Sequence, residues 1–194
     1  MENIVNELLD RPLSFVTRWH NRPNNGLRES VAEHSAWVTR IASLLGNLCT
    51  QRDKINWKLL YETALFHDDV EIFTGDIPGA FKHKFTKAKN DIKSWEVFAA
   101  SNLFLGLPKA LSDNYRKNIL DYINRPKLPK LELRLVHAAD VLTALSYAKT
   151  QVEMGNALFK DVMANIRFDA FCFFSRDDIF LTKELKPLID WLKE

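Results

Sequence analysis

Residues 56–69 read NWKLLYETALFHDD, a helical pattern that ends in a histidine and two aspartates. The apolar positions recur at the spacing of one helix face, and that face reaches His67. Asn56 is a good helix-capping residue, and a turn sequence, TGDIPG, follows at residues 74–79. The stretch therefore predicts a helix that carries His67 and Asp68 to its end, beside a turn.

Two other predicted helices each present a polar side chain on an apolar face. Residues 30–33, SVAE, form a capping box, and the helix that follows turns His34 inward. A helix over about residues 130–153 turns Asp140 inward. Taken singly, each residue would more often be a hydrogen-bonded core residue. Together they are ligands of the kind that hydrolytic divalent metals prefer, and a buried carboxylate without a cation is costly. We therefore predict one metal site with four ligands: His34, His67, Asp68 and Asp140.

Glu71 is the candidate for proton transfer. It lies four residues after His67, so a continuing helix would put its carboxylate on the side of the metal ligands. The alternative is an exposed acid at a helix end. Asp69 is predicted to be a solvated acid and Asp76 a turn residue.

The rest of the chain is also predicted to be helical, with further helices at about residues 87–105 and 112–124. The only strand-like stretch, FCFF at residues 171–174, is too short to found a sheet. Three tryptophans at helical spacing are predicted to be core residues: Trp37, Trp57 and Trp95. These patterns predict an all-α fold in a single domain over residues 1–194.

Bulk composition limits the function classes. The 194 residues include 27 basic and 25 acidic side chains, and the resulting charge of +2 is too small for a sequence-wide nucleic-acid or membrane footprint. The chain has no run of eighteen apolar residues and no signal-peptide pattern at its start. Cys49 and Cys172 are far apart and in apolar company, which favours reduced thiols. We expect a cytoplasmic protein that contacts neither nucleic acid nor membrane.

Cationic and aromatic residues flank the predicted metal ligands. Residues 18–20 read RWH and residues 82–84 read KHK. We predict that they form a phosphate and base pocket. The alternatives are a solvated surface run for the lysines and a core anchor for Trp19.

The pattern of His34, the His67-Asp68 pair and Asp140 resembles the H…HD…D signature of the HD-domain metal-dependent phosphohydrolases. The segments SVAEHS at residues 30–35 and TGDIP at 74–78 are more specific. With Arg18-Trp19, Glu71 and Lys82 they resemble the YfbR-like 5′-deoxynucleotidases and the related phage dATP triphosphohydrolases. The resemblance covers residues 18–147 and implies one HD-domain helical bundle. Residues 156–194 carry none of its motifs and are predicted to be a C-terminal helical extension.

The resemblance also implies roles for the residues. The four predicted ligands would hold zinc, cobalt or manganese, with additional magnesium or cobalt riding on the substrate phosphates. Glu71 would be the acid/base group. The substrate contacts would be these: Arg18 and Lys82 on phosphate, Trp19 and Pro78 on the deoxynucleoside, and Lys84 on a longer polyphosphate.

The reaction that we expect first is hydrolysis of dATP to deoxyadenosine and triphosphate, as in the phage enzymes, in a host cytoplasm if the chain is phage-encoded. The alternative is a 5′-deoxynucleotidase that releases phosphate from deoxynucleoside monophosphates. A non-enzymatic alternative is a nucleotide-sensing binding module, against which the intact Glu71 argues. The resembled families also imply a homo-oligomer.

Overall fold

Helices make up the regular secondary structure of the computed structural model, which describes residues 2–77, 86–126 and 129–194. Over these ranges the extended pairing is limited to an isolated antiparallel bridge between Thr17 and Ser30. The predicted all-α fold is therefore confirmed. Of the helices described, none combines the length and the apolar character that crossing a membrane requires.

The α-helices are α1 (Glu2–Leu9), α2 (Val31–Leu48), α3 (Trp57–Phe66), α4 (Glu71–Thr74), α5 (Thr86–Ser101), α6 (Lys109–Ile123), α7 (Leu131–Glu153), α8 (Lys160–Arg176) and α9 (Lys186–Lys193). Short 3₁₀ turns lie at Pro12–Ser14, Arg52–Lys54, Ala157–Phe159 and Asp178–Phe180. The predicted helices start and end within a few residues of these bounds.

The chain divides into two compact units. Unit 1 comprises Met1–Asn21, Arg28–Ser35 and Leu65–Leu128, and unit 2 comprises Arg22–Leu27, Ala36–Ala64 and Pro129–Glu194. Helices α2 and α3 each contribute residues to both units. The single-domain organisation inferred from the sequence stays a prediction.

The core of unit 1 is built by α4, α5 and α6. Its buried residues are Val70, Ala99, Ala100, Leu103 and Ile119. Phe66, at the end of α3, packs against this core and meets the rings of Phe104 and Tyr115 at centroid distances of 5.6 and 4.9 Å. The end of α3 is therefore held by apolar packing immediately before His67.

The core of unit 2 is built where α8 packs against α7 and α9. The FCFF stretch lies inside α8, and Phe174 contacts the ring of Phe180 at 4.5 Å while Phe173 contacts it at 5.6 Å. Aromatic residues favour strands only weakly, and here tertiary packing decides for a helix. His137, on α7, meets Phe173 edge-on at 5.2 Å, which is a structural role.

Helix α2 begins with the predicted capping box. The Ser30 hydroxyl accepts the Glu33 backbone N–H at 3.2 Å, and the Glu33 carboxylate accepts the Ser30 backbone N–H at 2.8 Å. The buried face behind it contains Val31, His34, Val38, Ala42 and Leu45.

Two of the three tryptophans predicted to be core residues are not buried. Trp37 is 54% exposed and Trp95 is 59% exposed, so those two predictions are wrong. Trp37 lies at the edge of the buried stripe of α2, where the guanidinium of Arg40 covers its ring at 5.7 Å. Trp57 is half-buried and packs against Tyr61 at 5.8 Å.

Replacing Ser30 by alanine is expected to lower the free energy of unfolding by about 1 kcal/mol, because the Glu33 N–H loses its acceptor. Two hydrogen bonds from Ser30 hold the pKa of the Glu33 carboxyl below its ordinary value; the bond from the Ser30 backbone N–H has the larger effect and the bond from its hydroxyl the smaller one. A lowered folded-state pKa stabilises the protein above the ordinary pKa, and this contribution is lost as the pH falls through the lowered pKa.

Denaturant unfolding at neutral and acidic pH measures the effect, and the difference between wild type and Ser30→Ala should shrink in acid. Ser94→Ala is the control, since the exposed Ser94 hydroxyl donates to the Asn90 carbonyl within α5. Equal losses in the two variants would contradict a special role for the cap.

Candidate metal centre

A tight turn separates α3 from α4 and carries the His67-Asp68 pair. After Phe66 the backbone hydrogen bonds join residues three positions apart, as in a 3₁₀ turn. The Asp69 N–H donates to the Phe66 carbonyl at 3.1 Å, and the Glu71 N–H donates to the Asp68 carbonyl at 2.9 Å. The helix therefore does not continue from His67 to Glu71, which was the condition under which the spacing placed the Glu71 carboxylate on the side of the metal ligands. The turn breaks the helix at the point where the predicted ligands stand.

Three of the four predicted ligands come together in unit 1. The Nε2 atoms of His34 and His67 lie 3.5 and 3.2 Å from the same carboxylate oxygen, Oδ2 of Asp68. One ligand atom from each residue falls within 4.8 Å of the others. Both imidazoles are buried, while the Asp68 side chain retains 21% of its exposure. Two imidazole nitrogens and a carboxylate oxygen at this spacing fit a single divalent ion.

Tyr122 packs against one of these imidazoles from the C-terminal end of α6. Its buried ring meets His67 edge-on at a centroid distance of 5.3 Å. The guanidinium of Arg125 lies 4.3 Å from the centroid of the same Tyr122 ring. The Arg125 guanidinium also donates to the Tyr122 carbonyl at 2.9 Å. The Tyr122 ring thus covers one side of the His67 imidazole, and Arg125 contacts Tyr122 in turn.

Two acids that closely follow the His67-Asp68 pair in the sequence, Asp69 and Glu71, are buried. Glu71 is 6% exposed, and so is Asp69, so the prediction that Asp69 is a solvated acid is wrong. Asp69 instead lines a cavity of about 640 Å³, together with Phe66 and Phe73. Burying several negative charges raises the free energy of the fold unless cations offset them. A divalent ion at His34, His67 and Asp68 would supply that compensation.

Arg18 is a cation that lies beside the cluster. Its Nη1 atom lies 3.8 Å from Oδ2 of Asp68, and its Nε atom lies 3.7 Å from Oε2 of Glu29. Its side chain is only 13% exposed. The guanidinium is therefore fixed between two carboxylates at the edge of the predicted metal site.

Trp19 follows Arg18 in an unusual backbone conformation. Its φ of 58° lies in the left-handed region, which costs about 1–3 kcal/mol for a residue other than glycine. Two carboxylates hold it there: Asp76 accepts the Trp19 backbone N–H at 2.9 Å, and Glu29 accepts the indole Nε1–H at 3.3 Å. Asp76, predicted only as a turn residue, thus ties the turn after α4 to the Arg18-Trp19 segment.

Comparison with known proteins decides the family. A family model described as "5′-deoxynucleotidase YfbR-like" matches residues 8–170. The chain belongs to the YfbR-like family. Among its curated relatives, a 5′-deoxynucleotidase of Pasteurella multocida is 31% identical over 160 residues, which is 81% of this chain and 79% of the relative. A 5′-deoxynucleotidase of Pectobacterium atrosepticum is 28% identical over 149 residues, 76% of this chain and 72% of the relative.

Solved structures agree with this assignment. An HD-domain phosphohydrolase of Listeria innocua superposes with a TM-score of 0.74 at 25% identity, covering 94% of this chain and 85% of its own. A Pyrococcus horikoshii protein superposes with a TM-score of 0.72 at 22% identity, with 97% of both chains covered, and supports the fold alone. The resemblance to HD-domain phosphohydrolases is confirmed, and with it a hydrolase that depends on a divalent metal.

The structure tests the other predicted site residues of this YfbR-like chain unevenly. Asp140 lies half-buried on α7, in unit 2, and its role as fourth ligand stays a prediction. Pro78, Lys82 and Lys84 fall outside the described residues, as does His83. Arg18 and Trp19 lie in unit 1 with the cluster.

Sequence reasoning missed Glu29, Tyr122 and the tie made by Asp76. Glu29 stands one residue before the capping box, and Tyr122 occupies an ordinary apolar position of α6, so no local pattern marks either of them. Asp76 belongs to the TGDIP segment at residues 74–78, and the resemblance carried by that segment could have indicated a role for it.

Substituting His67 with alanine is expected to lower the affinity for a divalent metal by at least about a hundredfold, because one of three converging donors is lost. Metal content after dialysis, together with a chelator-competition titration of Zn²⁺, Co²⁺ and Mn²⁺, measures the loss. His20→Ala is the matched control, since that imidazole is 54% exposed and lies outside the cluster.

Asp140→Asn in the same titration tests the fourth ligand. Affinity equal to wild type would remove Asp140 from the ligand set, whereas an unchanged affinity in His67→Ala would overturn the site itself.

Proposed function

We propose that this YfbR-like chain is a metal-dependent 5′-deoxynucleotidase, which converts deoxynucleoside 5′-monophosphates to deoxynucleosides and inorganic phosphate. The observation that carries the proposal is the convergence of two buried imidazoles on one oxygen of Asp68. The relatives named 5′-deoxynucleotidases support this substrate class over others that HD-domain proteins hydrolyse.

His34, His67 and Asp68 would hold the metal, with Asp140 as the fourth ligand, and their donor set suits zinc, cobalt or manganese. When bound, such an ion polarises the phosphoryl oxygen and makes water a better nucleophile at neutral pH. The absence of thiolate from this ligand set keeps the ion strongly Lewis-acidic. The proposal also includes additional magnesium or cobalt ions, which would enter the site bound to the substrate phosphates.

Glu71 is proposed to move the proton. In the reaction a water oxygen forms a bond to phosphorus, the bond between phosphorus and O5′ breaks, and O5′ must gain the proton that water loses. The Glu71 side chain is buried, and its backbone N–H donates to the carbonyl of Asp68, one of the proposed metal ligands. A buried carboxylate beside the ligands could serve as general base and then as general acid.

Arg18 is proposed to bind the phosphate. Its guanidinium lies 3.8 Å from the Asp68 carboxylate, so an anion placed on the cluster would also meet a positive charge. Trp19 and Pro78 are proposed to pack against the deoxynucleoside, and Lys82 to add a second phosphate contact. Lys84 would contact a longer polyphosphate in the alternative reaction on dATP.

The comparisons favour this activity over the dATP triphosphohydrolase that the sequence suggested first, because the curated relatives carry the name 5′-deoxynucleotidase. The nucleotide-sensing module is less well supported still, since the buried Glu71 and the ligand cluster are intact. We also propose a homo-oligomer, supported by exposed apolar side chains such as Phe15 (85%) and Phe98 (74%) in unit 1.

Product identity is the decisive experiment. The metal-loaded chain is incubated separately with the four deoxynucleoside monophosphates, AMP and dATP, and ion-exchange chromatography resolves nucleoside, phosphate and triphosphate. We expect phosphate and deoxynucleoside from the deoxynucleoside monophosphates, with AMP cleaved more slowly. Intact triphosphate from dATP, without cleavage of monophosphates, would establish the triphosphohydrolase instead. If the metal-loaded chain releases no product from any of these nucleotides, the nucleotide-sensing binding module would be favoured.

Glu71→Gln is expected to retain metal while lowering kcat about a hundredfold or more, because glutamine cannot take the proton. Steady-state kinetics on the best substrate, with metal content measured on the same samples, separates the two effects. Glu153→Gln is the control, since that carboxylate is exposed and pairs with Lys149 on α7. Wild-type turnover in Glu71→Gln would remove Glu71 from the mechanism.

A further inference from the structure

Glu29 is a buried carboxylate that the mechanism above does not use. It is 8% exposed, and a single oxygen, Oε2, serves two neighbours. That oxygen accepts the indole Nε1–H of Trp19 at 3.3 Å and lies 3.7 Å from Nε of Arg18. The two side chains proposed to touch nucleoside and phosphate therefore share one anchor.

The backbone fixes this anchor as firmly as the side chain does. The Arg18 N–H donates to the Glu29 carbonyl at 2.9 Å, and the Val31 N–H donates to the Val16 carbonyl at 2.9 Å, on either side of the Thr17–Ser30 bridge. Glu29 thus lies directly opposite Arg18 in a short antiparallel pairing. The next residue, Ser30, caps the helix that carries His34.

The strained backbone of Trp19 explains why an anchor is needed. A tryptophan at a φ of 58° reverts to an ordinary conformation unless its surroundings hold it. Asp76 holds the backbone N–H, and Glu29 holds the far end of the indole. Losing the indole contact would leave the ring free to rotate about its side-chain bonds.

Charge adds a second function to the same carboxylate. The Arg18 guanidinium stands between Glu29 and Asp68, with Nε toward the first and Nη1 toward the second. Glu29 therefore determines which edge of the guanidinium is turned toward the metal cluster. Because Arg18 and Glu29 are both nearly buried, this orientation is only weakly screened by water.

We propose that Glu29 is a positioning residue, which orients Arg18 and Trp19 for the phosphate and the deoxynucleoside of the substrate. The proposal rests on the proposed 5′-deoxynucleotidase function for its kinetic consequences, but not for the contact itself.

Two readouts test it. In a ¹⁵N-indole correlation spectrum the five tryptophans give five cross-peaks, and Trp19→Phe identifies that of Trp19. Glu29→Ala should shift this cross-peak, whereas Glu29→Gln should largely preserve it, because the amide oxygen can still accept the indole N–H. On dAMP, kcat/KM should fall about ten- to a hundredfold in Glu29→Ala and less in Glu29→Gln, since a misplacement of about 1 Å is enough for such losses.

A double-mutant cycle separates positioning from a general structural effect. In the Arg18→Ala background, Glu29→Ala should cost clearly less in kcat/KM than it does alone, because the group that it orients is already gone. Glu33→Gln is the matched control: glutamine keeps the capping box, and neither the cross-peak nor kcat/KM should change. Metal content and melting temperature are recorded for every variant.

Each outcome decides one point. A kcat/KM within twofold of wild type in Glu29→Ala, or an equal loss in the Arg18→Ala background, would overturn the proposal. If Glu29→Ala does not fold, Glu29→Gln decides, because it should lower kcat/KM through Arg18 while the Trp19 cross-peak stays in place. A wild-type chain that hydrolyses no deoxynucleotide would refute the proposed function, and the inference about Glu29 would then depend on the cross-peak alone.

Discussion

The close approach of His34, His67 and Asp68 is the constraint on which the rest of unit 1 depends. The two buried imidazoles and the carboxylate lie within 4.8 Å of one another, and they come from the first turn of α2 and from the turn that follows α3, so the adjoining ends of both helices must be fixed. The capping box fixes the first turn of α2, and the packing of Phe66 on Phe104 and Tyr115 fixes the last turn of α3. Helix ends are the parts of a helix most prone to fray, so these contacts convert weak positions into rigid ones.

Negative charge is concentrated around this cluster, and its placement gives each carboxylate a different task. Asp68 is partly exposed and faces both imidazoles, Glu71 is buried at the start of α4, and Glu29 and Asp76 hold the Arg18-Trp19 segment. Burying this many acids is unfavourable without cations, and Arg18 provides one of them. A divalent ion at the cluster would be the second, which agrees with the divalent metal that HD-domain phosphohydrolases use.

The turn at residues 67–70 shows how the sequence pattern and the structure diverge. The pattern of α3 continues smoothly into His67 and Asp68, yet the backbone tightens after Phe66 and a new short helix begins at Glu71. The same turn buries Asp69 beside a cavity, against the expectation from its residue type. Helix propensity and spacing do not indicate such a break, because it is made by hydrogen bonds between backbone groups three residues apart. These bonds do not depend on which side chains the residues carry.

The sequence by itself determined the helical class, the starts of α2 and α3 and three of the side chains that converge, His34, His67 and Asp68, because capping residues and helical periodicity are local properties. Trp37 and Trp95 mark the limit of that reasoning, since amphipathic spacing places a side chain on a face but not the neighbour that covers the face. Only the tertiary structure decided that Glu29 anchors Arg18 and Trp19, that Asp76 reaches back 57 residues to the Trp19 backbone, and that Tyr122 packs on His67. These contacts join segments distant in the chain, and their energies depend on burial and on distances that no local pattern encodes.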